Sequence, residues 1–85
     1  MIRAFTDEAW EQYQHWVRTD RPTLRRVNQL IEDVLRHPFE GIGKPEMLRA
    51  NLSGHWSRRI TDEHRLVYRV IGETVVIVSC RFHYE

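Results

Sequence analysis

The first half of the chain shows an alternating pattern of apolar positions and then a helical one. Residues 2–6 alternate in polarity, which predicts a short strand. Thr6 or Asp7 can cap a helix that runs to residue 18, and Asp20 followed by Pro22 can begin a second. Pro38 ends this second helix at about residue 37. The helices carry the apolar stripes Ala9, Trp10, Tyr13, Trp16, Val17 and Leu24, Val27, Leu30, Ile31, Val34, Leu35.

The second half of the chain has the patterns of loops and strands. Residues 38–54 are rich in turn formers and predict the longest irregular segment. From residue 55 onward, alternation predicts strands at about 55–60, 64–71 and 75–83. The order strand, helix, helix and three strands indicates an α+β fold. We therefore predict a single domain over residues 1–85, with the helices packed on one face of a mostly antiparallel sheet.

The register of the last three strands follows from which side chains each alternative would bury. A three-residue loop at 61–63 pairs Trp56 with Tyr68 and Arg59 with Arg65. In the next hairpin, a two-residue turn at Gly72 and Glu73 would place Arg65 opposite Cys80, among apolar residues. A three-residue loop that also includes Thr74 avoids this, and we predict it. The core face of the last strand would then comprise Val76, Val78, Cys80 and Phe82, with Ile77, Ser79, Arg81 and His83 on the other face.

This register gathers basic side chains on the sheet face away from the helices. Like charges directly opposite each other destabilise a sheet, so the cluster predicts a bound anion. The alternative is a solvated face, neutralised by Asp62, Glu63 and the C-terminal carboxylate. Arg58 falls on the helix-packed face near its edge, and we expect its head group to reach water. The cationic face comprises Arg59, Arg65, Arg81 and His83, beside a loop that holds Lys44, Glu46 and Arg49.

Composition adds a preference for phosphate but no strong charge. The formal net charge is only +1, yet all the basic residues except Lys44 are arginine. Arginine stays ionised and binds phosphate through a planar fork. The sequence has no apolar run long enough for a membrane span, its first residues lack a secretion signal, and Cys80 has no cysteine to pair with. We expect a cytoplasmic protein with no membrane association.

The cationic face holds the groups that metal-free cleavage of RNA requires. Glu46 can take the proton of a 2′-hydroxyl, and Arg65, with Arg59 or Arg81, can stabilise the phosphorane. His83 can protonate the leaving 5′-oxygen, and Tyr84 can stack on a base or orient the phosphate; Lys44 and Arg49 can bind substrate. The spacing of Glu46, Arg65 and His83 alone is only weak evidence for a ribonuclease, because many small charged chains contain such a set. The sequence has neither zinc-type Cys/His spacing nor a Walker loop, so we expect no metal and no cofactor.

Three segments of the chain closely resemble one family of bacterial toxins. Residues 38–46, 51–68 and 81–84, above all the blocks 56–60 and 64–68 and the terminal His-Tyr, are similar to the YoeB (Txe) family within the RelE superfamily. The resemblance implies a compact fold like that of microbial ribonucleases. It also implies a toxin that enters the ribosomal A site, cleaves the messenger RNA displayed there and inhibits translation.

The resemblance assigns roles to residues that the charge pattern had also selected. It implies that Glu46 is the base, Arg65 the phosphate-binding arginine and His83 the general acid, with Tyr84 as the tyrosine that follows and Arg59 as a basic substrate contact. Two positions depart from the family. Arg49 stands where many relatives have lysine, and Glu85 follows a tyrosine at which many relatives end. We expect activity to survive both departures.

The resemblance also implies partners. These are a YefM-type antitoxin, whose acidic C-terminal segment folds over the toxin, the ribosome with mRNA in its A site, and a second toxin copy. Operator DNA would be contacted only through the antitoxin. Two other hypotheses are a catalytically silent, partner-binding module that regulates its operon, and a DNA-binding regulator. The absence of a recognition-helix pattern disfavours the regulator, and the presence of Glu46, Arg65 and His83 together disfavours the silent module.

Overall fold

The computed structural model describes residues 1–82, and its helices and strands follow in the predicted order. Both predicted helix caps are present: Thr6 Oγ1 accepts from the Ala9 amide at 3.1 Å, and Asp20 Oδ1 from the Thr23 amide at 3.0 Å. A short strand at Glu46–Met47 and a 3₁₀ helix at Ala50–Leu52 are additions to the predicted elements. The elements are β1 (Ile2–Phe5), α1 (Asp7–Thr19), α2 (Arg21–Arg36), β2 (Glu46–Met47), β3 (Trp56–Arg59), β4 (Arg65–Ile71) and β5 (Thr74–Ser79).

The strands form one five-stranded sheet in the order β1-β5-β4-β3-β2. Strand β1 pairs parallel with β5, and the other neighbours pair antiparallel. The predicted α+β class with a mostly antiparallel sheet is therefore confirmed. In the part of the chain that the structure describes, no helix combines the length and the apolarity that crossing a membrane requires.

The helices pack on the face of the sheet that carries Leu66 and Tyr68. The stripe on α2 is confirmed, since its central four residues are buried and Leu24 and Leu35 are partly buried. On α1 the prediction is wrong for Trp10 and Val17, which are exposed. The line of contact on α1 instead follows Ala9, Gln12 and Trp16. The buried core comprises Ala9, Trp16, Val27, Leu30, Ile31, Val34, Ile60, Leu66, Tyr68, Val75, Ile77 and Cys80.

The β3–β4 register is confirmed, but the β4–β5 prediction is wrong next to the turn. Ile71 pairs with Thr74 across a two-residue turn, so Val75 and Ile77 lie in the core rather than Val76 and Val78. The register then shifts by one residue at a β-bulge, where Val78 has no partner in β4. From the sequence alone, the two-residue turn was excluded because it would have placed Arg65 opposite Cys80. The extra residue at the bulge shifts the register by one, so this placement no longer follows from the short turn. Thr6 stabilises the bulge, because its hydroxyl donates to the Val78 carbonyl at 3.2 Å.

Strand β5 also ends earlier than predicted. It stops at Ser79 rather than at residue 83, and Cys80, Arg81 and Phe82 continue outside the strand. The Gln12 side-chain oxygen accepts from both the Ser79 hydroxyl and the Cys80 amide, at 3.1 and 2.7 Å. The Trp16 indole donates to the Cys80 carbonyl at 2.8 Å. Helix α1 therefore binds the chain where it leaves the sheet.

Candidate active site

Strands β2, β3 and β4 place one carboxylate and two arginines on the sheet face opposite the helices. Arg59 on β3 pairs with Arg65 on β4, and in the next row Glu46 on β2 pairs with Ser57. The Arg59 amide donates to the Gly43 carbonyl at 2.7 Å, so Lys44 follows directly after a residue bound to Arg59 and precedes β2 by two residues. With strands about 4.8 Å apart and alternate residues about 6.7 Å apart, the Cα atoms of Glu46 and Arg65 lie about 12 Å from each other. Two long side chains at this separation can contact one phosphodiester held between them.

The guanidinium of Arg65 is held from one side. Its Nη1 donates to the carbonyl oxygens of Thr61, His64 and Asp62, at 2.7, 3.2 and 3.3 Å. Within residues 1–82, no atom accepts from its Nε or Nη2, so these two nitrogens remain available as a planar fork. The carbonyls fix the fork without neutralising its charge.

Within residues 1–82, neither Asp62 nor Glu63 forms an ion pair with a lysine or arginine of the cationic face. Over residues 1–82, the ion pairs are Arg3 with Glu32 and Arg58 with Asp33. Lys44, Arg59 and Arg65 therefore have no carboxylate partner in this part of the chain. The C-terminal carboxylate, which the alternative hypothesis also invoked, lies outside the described residues.

Arg49 and Arg81 are not placed beside Arg65 by strand pairing. Arg49 is exposed at the start of the 3₁₀ helix. The guanidinium of Arg81 lies 5.8 Å from the centre of the Trp16 ring, so its predicted place on the cationic face is wrong. The physical reason is that β5 ends at Ser79, after which strand alternation no longer directs side chains.

Desolvation and the nearby Arg81 cation together lower the pKa of His15 on α1.

The backbone of Phe82 lies next to Arg65. The Arg65 amide donates to the Phe82 carbonyl at 2.9 Å, and the Phe82 amide donates to His64 Nδ1 at 2.8 Å. His64, which the sequence indicated only as a residue at a strand start, thus fixes the chain just before the predicted general acid. His83 and Tyr84 themselves lie outside the described residues, as does Glu85.

Arg58 is fully buried, and the prediction that its head group reaches water is wrong. Its Nη1 lies 2.5 Å from Asp33 Oδ2, and its Nε donates to the Tyr68 hydroxyl at 3.2 Å. Partial burial acts to raise the pKa of Asp33, but hydrogen bonds from Arg58 and the Ile42 amide outweigh it and the pKa is lowered. Burial raises the pKa of Tyr68, against the opposing effect of Arg58. The remaining acceptors are the carbonyl oxygens of Ile42, His37 and Glu40, at 3.2, 2.5 and 2.8 Å.

The register itself could have indicated this buried site. Arg58 pairs with Leu66, which places a guanidinium on the helix-packed face, where it requires acceptors. Its ionic partner Asp33 lies on α2 with a side chain that is only 23% exposed. Within residues 1–82, no three His, Cys, Asp or Glu side chains are grouped so that they could hold a metal ion.

Comparisons with known proteins agree on one family. Residues 5–84 match the model of a family described as the YoeB-like toxin of bacterial type II toxin-antitoxin systems. The chain is 54% identical to the Toxin YoeB of Streptomyces coelicolor over 80 residues, which are 94% of this chain and 95% of that protein.

Solved structures give the same result. A YoeB/ParE toxin from Agrobacterium tumefaciens is 46% identical, with a TM-score of 0.96 over 99% of this chain and 100% of that one. A YoeB–YefM complex from Staphylococcus aureus contains a chain that is 40% identical, with a TM-score of 0.91 over 99% and 98% of the two chains. A YoeB dimer from the same organism is 41% identical, with a TM-score of 0.92 and the same coverage.

Proposed function

Because the chain belongs to the YoeB-like toxins of bacterial type II toxin–antitoxin systems, we propose that it is a ribosome-dependent endoribonuclease that cleaves mRNA in the ribosomal A site. The observation that carries this proposal is the placement of Glu46 one row from the Arg59–Arg65 pair. A single carboxylate among cations that lack an ionic partner in residues 1–82 suits a general base beside a bound phosphate. The protein would act in the cytoplasm and stop translation there.

The proposed reaction is attack of the ribose 2′-oxygen on the adjacent phosphorus. Glu46 takes the proton of the 2′-hydroxyl, and the new P–O2′ bond forms as the P–O5′ bond breaks. His83 gives a proton to the departing 5′-oxygen. The products are a 2′,3′-cyclic phosphate and a free 5′-hydroxyl, and every step uses side chains of this chain alone.

Arg65 supplies the electrostatic stabilisation in this scheme. Within residues 1–82, its Nε and Nη2 have no acceptor, and the 61–64 carbonyls already hold the guanidinium in place. A fork that is oriented before the substrate arrives stabilises the phosphorane without reorganisation. Arg59 pairs with Arg65, and Lys44 follows the Gly43 that Arg59 binds, so both would bind the neighbouring phosphates, with Arg49 further out on the exposed loop.

Substrate positioning would come largely from the ribosome. Glu46, Lys44 and Arg59 are exposed to solvent. Such a surface can stabilise a transition state but does little to hold a flexible RNA in line. We therefore expect much slower cleavage of free RNA than of ribosome-bound mRNA, and equal rates at equal sites would contradict this.

The cationic face also suits the antitoxin partner that the comparisons suggest. Similar chains occur in a YoeB–YefM complex and in a YoeB dimer. We propose that a YefM-type antitoxin covers this face with an acidic segment, that the toxin can form a homodimer, and that operator DNA is bound through the antitoxin. Charge-reversed Arg59→Glu would weaken antitoxin binding and make it less dependent on salt.

The decisive experiment maps cleavage of a defined mRNA on purified ribosomes. We expect codon-positioned cuts that end in a 2′,3′-cyclic phosphate. His83→Gln would slow cleavage by about 10²–10⁴-fold as a lost general acid, and Arg65→Gln by about 10²–10³-fold as a lost charge stabiliser. The matched control is Arg69→Gln, which removes the same charge from an exposed position on the same face of β4.

The result that contradicts the proposal is equally plain. If the folded wild-type protein makes no cuts, the chain is a partner-binding module without ribonuclease activity. If Arg69→Gln slows cleavage as much as Arg65→Gln does, the effect is one of total charge, and the role of Arg65 is wrong.

A further inference from the structure

We propose that Arg58 is a positioning residue that acts through Glu46 by holding residues 37–44 against the sheet. The expected effect on catalysis rests on the proposed function of Glu46. The structural role of Arg58, which is to hold residues 37–44 in place, is independent of that proposal. Arg58 is completely buried and lies on the face opposite the cations, so it cannot touch the RNA. Any effect on the reaction must therefore pass through the backbone that its side chain binds.

The guanidinium of Arg58 is fully satisfied by five acceptors. Three of them are the backbone carbonyls of His37, Glu40 and Ile42, and the other two are Asp33 and Tyr68. The Tyr68 hydroxyl in turn donates to the Pro38 carbonyl at 2.7 Å. These bonds span the whole turn between α2 and the segment before β2. Lysine has three donors on a single nitrogen, so it cannot donate five hydrogen bonds in one plane as the guanidinium does.

Apart from the Arg58 bonds, the segment is held by a contact between the Phe39 and Trp56 rings and by the hydrogen bonds of Ile42 and Gly43. It has no regular secondary structure between residues 37 and 45, and β2 is only two residues long at the edge of the sheet. Lys44 has a φ of 53°, in the left-handed region that non-glycine residues rarely adopt. Gly41 has a φ of 125°, and a Cβ there would lie 2.1 Å from Asp33 Oδ2. The backbone can therefore approach the ion pair only because residue 41 is glycine.

The backbone on either side of Arg58 binds the same segment further along. Ser57 pairs with Glu46, and the Arg59 amide donates to the Gly43 carbonyl. The side chain of Arg58 thus fixes the beginning of the segment while its two neighbours fix the end. Loss of the side-chain bonds would let Glu46 move relative to Arg65, and a misplacement of about 1 Å can cost about 10²-fold in rate.

Amide hydrogen exchange tests the positioning without any RNA. In Arg58→Lys we expect the Ile42 and Arg59 amides, which donate to Asp33 and Gly43, to exchange at least tenfold faster, while the amides between β4 and β5 keep their protection. Ile77→Val is the matched control, because it weakens the core in β5 away from this segment. Wild-type protection of Arg59 in folded Arg58→Lys would overturn the inference.

Cleavage of ribosome-bound mRNA tests the consequence for Glu46. We expect Arg58→Lys to lower kcat by about 10²-fold with little change in KM. The double variant with Glu46→Gln should be no slower than Glu46→Gln alone, because a displaced base and an absent base are equivalent. Multiplied effects, or full kcat in folded Arg58→Lys, would overturn the inference.

The two measurements separate the inference from the proposed function. If the wild-type chain cleaves nothing, the ribonuclease proposal fails, and the exchange experiment still decides whether Arg58 holds the segment. If Arg58→Lys does not fold, Tyr68→Phe removes one acceptor and the bond to Pro38 while it keeps the ion pair. That variant should show the same faster exchange at Arg59 to a smaller degree, and unchanged exchange would overturn the inference.

Discussion

The ion pair between Asp33 and Arg58 gives a quantitative prediction for stability. Asp33→Asn keeps the size of the side chain and one acceptor oxygen, but it leaves the buried guanidinium without a counter-charge. Removing one partner of a fully buried pair costs about 3–5 kcal/mol, whereas an exposed pair contributes about 0–1 kcal/mol. The Asp33 side chain is 23% exposed and that of Arg58 is 0% exposed. We therefore expect a loss of about 2–3 kcal/mol in the free energy of unfolding.

The chain contains a matched control one residue away. Glu32 pairs with Arg3 at 2.7 Å, and both side chains are 52% exposed. Glu32→Gln removes the same charge from the same helix, and we expect a loss below about 0.5 kcal/mol. Urea unfolding followed by tryptophan fluorescence measures both variants at pH 7, with an unchanged m-value as the test of an unchanged unfolding transition. In thermal unfolding, the Asp33 variant should lose roughly 10–20 °C.

The dependence on pH gives an independent check. The pKa of Asp33 is lowered in the folded protein, so its contribution is present above the unfolded pKa and is lost as the pH falls through the folded value. The difference between wild type and Asp33→Asn should therefore shrink below about pH 4. A difference at pH 7 no larger than that of Glu32→Gln, or one that does not shrink in acid, would refute the buried ion pair.

The remaining predictions concern the core and the end of β5. Burial raises the pKa of Cys80 to about 12, so a thiol reagent should label Cys80 only in the unfolded protein, and labelling of the native protein at the unfolded rate would be inconsistent with this burial. Because the observed register buries Ile77 and leaves Val76 partly exposed, Ile77→Ala should cost about 2–5 kcal/mol in denaturant unfolding and Val76→Ala much less; the reverse order would support the three-residue loop. Gln12→Leu should cost about 1–3 kcal/mol, because it removes the oxygen that accepts from Ser79 and Cys80, and a neutral result would show that these donors find other partners.

The candidate site is built from few elements of the fold, namely strands β2, β3 and β4 and the loop before β2. Two hairpins bring Arg59, Arg65 and Glu46 together, and one buried arginine binds the loop between α2 and β2. The family assignment from sequence is confirmed by the comparisons. The roles of the individual residues remain proposals that the variants above can test.

Local chemistry in the sequence determined the helices, their caps and one hairpin. Thr6, Asp20 and Pro38 act within a few residues of where they stand, so their effects can be predicted without tertiary structure. The Arg59–Arg65 pairing was also predictable, because a slip by one residue would have moved every side chain to the other face.

Only the tertiary structure decided the features that depend on distant contacts. The bulge at Val78 is stabilised by Thr6, which is far away in sequence, and no pattern within β5 indicates it. The burial of Arg58 depends on carbonyls that converge from a loop without regular structure, and alternation alone predicts only which face the residue lies on. Arg81 was misplaced because strand alternation was extended past the end of β5. Local propensity determines elements and faces, whereas bulges, buried charges and chain ends are determined by partners that the fold brings from elsewhere.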